Sequence, residues 1–105
     1  MIISSTDTLP GFDIIEVLDI ARGSTVRARH IGRDITAVFK SVVGGEIKEY
    51  TRLMAEAREH AIERMIADAE RLDADAIVNV RFATATVMQG SSEILAYGTA
   101  VKLKK

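Results

Sequence analysis

Glu56, His60 and Glu63 stand four and three residues apart, so on a helix they share one surface. A carboxylate–imidazole–carboxylate cluster is a conceivable donor set for a divalent cation. It is not the two-histidine signature of helical zinc sites, and a histidine among glutamates on a polar helix face is ordinarily solvated. These three are the metal candidates, and no tightly bound metal or other cofactor is expected. Asn79 and Arg81, two apart in an otherwise apolar run, are the ligand candidates. On a covered sheet face they would line a pocket or pore, or hydrogen-bond across an interface.

Other polar residues carry less. His30 lies between Arg29 and Arg33, which suits an anion patch but equally a turn with scattered charges. Gly44-Gly45 precedes a helical pattern, yet no Lys-Ser/Thr follows and no strand feeds it, so the phosphate-loop pattern fails. Neither of the two histidines stands in a spacing that pairs it with a nucleophile. No residue is assigned a catalytic role, and a non-enzymatic protein is expected.

Bulk composition narrows the classes further. The 105 residues suffice for one domain, 1–105. A net charge of −1 gives no basic face for nucleic acid. The lack of cysteine removes disulfides and thiolate metal sites together. No apolar run reaches membrane-spanning length and no leader pattern opens the chain, so a cytoplasmic protein is expected.

The elements that must position the candidates follow from periodicity. Apolar residues recur at helical spacing from Glu46 to Leu72, with Ala57 and Ala61 forming a small-residue notch where another element can pack close. A shorter amphipathic helix is read between Gly32 and Val43, on Ile35, Val38, Phe39 and Val42. Ile2-Ile3-Ser4 reads as a short strand and the run from Phe12 to Ala21 as a longer one. Arg22-Gly23-Ser24 reads as a hairpin turn or bulge leading to a further strand, Thr25–Arg29. Ala76–Phe82 and the run ending at Leu103 are the last two strands, joined by a turn at Gln89-Gly90-Ser91-Ser92. Strict alternation puts Ile77, Asn79, Arg81 and Ala83 on one face, continued by Ile94, Ala96, Gly98 and Ala100. That face is too apolar for open water, and a neighbouring subunit is expected to cover it.

Several stretches are specific in combination: Gly11-Phe12; Gly44-Gly45-Glu46, Tyr50, Leu53, Ala57-Arg58, Ala61 and Met65; Ala74-Asp75-Ala76-Ile77-Val78-Asn79-Val80-Arg81-Phe82; and Glu93-Ile94-Leu95-Ala96-Tyr97-Gly98-Thr99-Ala100-Val101. Together they resemble the YbjQ-like family of small bacterial and archaeal proteins, over nearly the whole chain. The resemblance implies a compact α/β subunit, an antiparallel sheet around a long helix, assembled as a ring-shaped homopentamer. It carries a heavy-metal-binding label but no catalytic residues, and the missing thiolates count against that label here. Asp73 stands at the helix end where the family usually has glycine, a position that favours a left-handed residue.

The sequence therefore reads as an α+β protein: a mostly antiparallel sheet wrapped on one long helix, plus one short helix. The expected function is a homo-oligomer binding a small ligand or partner at subunit junctions, through Asn79 and Arg81. A metal carrier using Glu56, His60 and Glu63 is the first alternative, and an enzyme with an inter-subunit site the second.

Overall fold

The computed structural model describes residues 1–28, 48–88 and 90–105. The short helix expected between Gly32 and Val43, the Gly44-Gly45 corner and the His30 patch lie outside the described residues. The elements run β1 (Ile2–Ile3), β2 (Ile14–Ala28), α1 (Lys48–Arg71), β3 (Ala76–Met88) and β4 (Ser91–Leu103). The four strands form one mixed sheet in the order β1-β3-β4-β2. Both long pairings, β2 with β4 and β3 with β4, are antiparallel, and only β1 runs parallel to its neighbour β3.

The Ala-rich stripe of α1 meets the sheet on the Ala-rich face of the strands. Ala57, Ala61, Met65 and Ala69 are buried against Ala21, Ile77, Ile94, Ala96 and Ala100. Small residues on both sides let the helix axis drop close to the sheet, trading side-chain bulk for proximity. The face expected to await a neighbouring subunit is thus covered by the chain's own helix at Ile77, Ile94, Ala96 and Ala100. Its apolar character therefore serves helix packing within the chain and needs no neighbouring subunit to account for it. A second, smaller core occupies the other face, where Leu9 closes over Ala76, Val78, Val101 and Leu103.

Arg22-Gly23-Ser24 is neither a hairpin nor a bulge, because β2 runs unbroken for 15 residues. Gly23 serves close approach instead. A methyl group there would stand 2.5 Å from the Ala61 carbonyl oxygen and 2.6 Å from the Arg64 carbonyl carbon. The notch at Ala57 and Ala61 is filled by β2, and the Thr25 hydroxyl donates to the Ala57 carbonyl at 3.0 Å. The shifts of register in β2 fall earlier, between Ile14 and Glu16 and between Val17 and Asp19.

The turn that closes helix α1 is set by Asp73, two residues past its end, whose φ is +61°. The Ala74 N–H reaches back to the Ala69 carbonyl and the Asp73 N–H to that of Glu70, each at 3.0 Å. These two bonds are a Schellman ending, which satisfies the last carbonyls and turns the chain straight into β3.

Candidate functional site

The polar candidates are set by one irregularity in β3. Val78 pairs with Thr99 and Arg81 with Tyr97, so β3 spends three steps where β4 spends two. The extra residue is a bulge, and Asn79 sits in it at φ +54°. Asparagine is among the few side chains that tolerate this left-handed conformation. Gly98 lies opposite, where a methyl would stand 2.7 Å from Ile77 Cγ2 and 2.9 Å from the Val78 carbonyl oxygen. Bulge and glycine require each other.

A one-residue insertion inverts every side chain beyond it. Ile77 faces the helix, yet Arg81 shares the opposite face with its partner Tyr97, while Phe82 pairs with the helix-facing Ala96. Strict alternation places Arg81 and Ala83 with Ile77, and the bulge is the reason it fails. The amino-terminal segment follows the irregularity: the Asn79 N–H donates to the Thr6 carbonyl and that of Val80 to Ser4, both at 2.9 Å. The Arg81 guanidinium Nη1 donates to the Ser5 carbonyl at 2.8 Å and to that of Val80 at 2.9 Å.

Asn79 and Arg81 come together in an open depression of about 330 Å³ on this face, lined also by Ile20, Tyr97, Gly98 and Thr99. Its chemistry is a cation, an amide, a hydroxyl, a phenol ring and an aliphatic side chain. Among the described residues no histidine, aspartate or glutamate lines it. Tyr97, Thr99 and Ile20 were missed in the sequence. An asparagine inside a β-run, with a glycine in the facing strand, was the available signal for them.

Glu56, His60 and Glu63 all stand exposed on α1. Among the described residues no three of His, Cys, Asp and Glu gather where they could hold an ion. Charge is used instead to tie α1 to β2. The Arg22 N–H donates to Asp68 Oδ2 at 3.0 Å, and Arg71 donates to Asp68 Oδ1 at 2.8 Å. The Arg71 hydrogen bond and then the Arg22 N–H hold the Asp68 carboxyl below its ordinary value. Arg64 Nη1 donates to the Ser24 carbonyl at 2.6 Å.

Among the described residues, a four-stranded sheet with one long helix on one face and a polar depression on the other defines a small α+β fold. The family model described as "Putative heavy-metal-binding" (YbjQ_1) matches residues 1–104. The chain is 56% identical over 105 residues to a UPF0145 protein of Thermosipho africanus, covering 100% of this chain and 97% of that one. It is 58% identical over 103 residues to a UPF0145 protein of Methanosarcina acetivorans, covering 98% and 97%. The chain belongs to this YbjQ-like, UPF0145 family. A crystal structure of a DUF74-family protein with unknown function from Pediococcus pentosaceus shares the fold, at a TM-score of 0.67 and 14% identity over 99% of this chain and 98% of that one. The donor set among the described residues does not fit the metal in the family's description. The chain has no cysteine, and its described carboxylates and histidine do not converge. No helix among the described residues is long and apolar enough to cross a membrane.

Proposed function

We propose that the protein is a non-enzymatic, cytoplasmic homo-oligomer, a closed pentameric ring, that binds a small anionic ligand beside the β3 bulge. One observation carries the ligand reading: the bulge turns Arg81 and Asn79 into one depression with Tyr97, Thr99 and Ile20. The guanidinium is held by the Ser5 and Val80 carbonyls, both through Nη1. A preorganised arginine with an amide and a hydroxyl near it suits a carboxylate or phosphate, and Tyr97 and Ile20 suit an apolar body attached to it.

Native mass spectrometry of the purified protein tests this, followed by thermal shift against phosphate, nucleotides and dicarboxylates. The expected result is a bound anion, or a stabilising anion class, that Arg81→Gln loses while keeping the wild-type circular dichroism. A ligand retained by Arg81→Gln, or no bound mass and no thermal shift with any of these anions, would overturn it.

A further inference from the structure

The sheet face away from α1 carries a row of three side chains that reaches past the depression. On β2, Ala21, Gly23 and Thr25 all meet the helix, so Arg22 between them turns to the opposite face. On β4, Ala96 packs on the helix and Tyr97 turns away from it. Register then sets Arg22 beside Tyr97 on one side and Arg81 beside it on the other. Arg22, Tyr97 and Arg81 thus form one row across three strands, and all three are exposed. Ile20, on the same face of β2 as Arg22, lines the depression, while Arg22 stands one step further along, outside that lining.

Neighbouring strands stand about 4.8 Å apart, which puts the two arginine Cα atoms about 10 Å from each other. That is about one Debye length at 0.1 M salt, so the two positive charges still repel. The adjacent rows do not offset them. Ile20 with Thr99, and Ser24 with Leu95 and Ala83, are uncharged, and Glu93 is two rows away. Among the described residues neither guanidinium forms an ion pair with a carboxylate. Asp68 accepts the Arg22 backbone N–H but pairs with the side chain of Arg71. The Arg81 head is drawn to the Ser5 carbonyl, on the side of β3 away from Tyr97. The two cations are therefore held apart rather than closed on a single group.

We propose that Arg22 is the second cation of the Arg81 site, and that the ligand is a two-ended anion: a carboxylate or phosphate at each end of an apolar body lying across Tyr97. This rests on the anion-binding reading above and adds the ligand's second charge and its length. One end is met in the depression by Arg81, Asn79 and Thr99, and the other crosses the tyrosine to Arg22. A guanidinium binds carboxylate and phosphate oxygens in the same forked geometry, so either group satisfies each end. Tyr97 and Ile20 supply the apolar contact between the ends. Binding such a ligand also removes the repulsion between the two arginines, which a monoanion at Arg81 leaves half in place.

Isothermal titration calorimetry with four matched probes tests this: suberate against octanoate, and octane-1,8-diphosphonate against octylphosphonate. For the wild type, at least one two-ended probe is expected to bind about tenfold or more tighter than its one-ended partner, the gain of a second charge-assisted contact. The carboxylate and phosphonate arms show which anion the site prefers. Arg22→Gln keeps the backbone N–H that Asp68 accepts, and is expected to erase that difference while leaving the one-ended probes unchanged. Arg22→Lys keeps the charge and is expected to keep most of the difference, whereas Arg81→Gln loses both kinds of probe. Equal affinities in the wild type, a difference that survives in Arg22→Gln, or a loss there that falls equally on both kinds, overturns the two-ended ligand and leaves the Arg81 anion site standing. No binding of any of the four probes overturns both readings.

Discussion

The Cα of Gly23 lies against the backbone of Ala61, so near that a methyl on it would stand 2.5 Å from the Ala61 carbonyl oxygen. The obstacle is helix backbone, which cannot swing aside as a side chain can. Gly23→Ala should therefore force α1 away from β2 and cost about 1–3 kcal/mol or more. Urea denaturation measures it, and an unchanged midpoint would mean that the helix stands further from the strand than described.

Gly98→Ala should be costly for a different reason. The added methyl meets Ile77 Cγ2 at 2.7 Å and the Val78 carbonyl at 2.9 Å, both just before the bulge. We expect a loss of about 1–3 kcal/mol together with weaker anion binding, since the bulge also aims Arg81. Asn79→Gly is the matched control. It keeps the left-handed backbone and removes only the amide, so it should leave stability within about 1 kcal/mol while reducing binding. Denaturation and thermal shift on the pair separate bulge geometry from amide chemistry.

Asp73→Gly should stabilise the protein by up to about 1 kcal/mol, because glycine holds φ +61° without a Cβ penalty. The opposing loss is the 3.2 Å pair with Lys102, and with Asp73 93% exposed that pair is worth little. A lower denaturation midpoint in the variant would show that the Lys102 contact outweighs the strain.

Asp68 couples helix to strand through its charge. Its folded-state pKa is lowered, so its contribution to stability is full above the ordinary carboxylate value of 3.8 and is lost as pH falls through the folded value. Asp68→Asn should lower the midpoint at neutral pH and flatten the fall in stability on the acid side of 3.8. Equal acid slopes in wild type and variant would contradict this.

Much of the fold was legible because it rests on local pattern. The 3.6-residue recurrence of Met54, Ala57, Ala61, Met65 and Ala69 marks the helix and its buried stripe, and Asp73 announces the left-handed ending. Gly23 was misread because a glycine among polar residues looks the same whether it turns the chain or admits a neighbour, and only tertiary contact separates the two. The faces of β3 were misassigned beyond Val78 for a similar reason: alternation counts residues, and one unpaired residue at Asn79 resets the count. Asn79 and Arg81 stood out as polar residues in an apolar run, whereas Tyr97, Thr99 and Ile20 join them only through strand register, which no single strand's sequence contains.

The assembly is the central claim, and multi-angle light scattering of the wild-type protein at micromolar concentration tests it most directly. The account predicts a single species with about five times the mass of one chain, holding together on dilution through buried contacts of more than about 1,000 Å² each. A species of one chain mass across that range would contradict it.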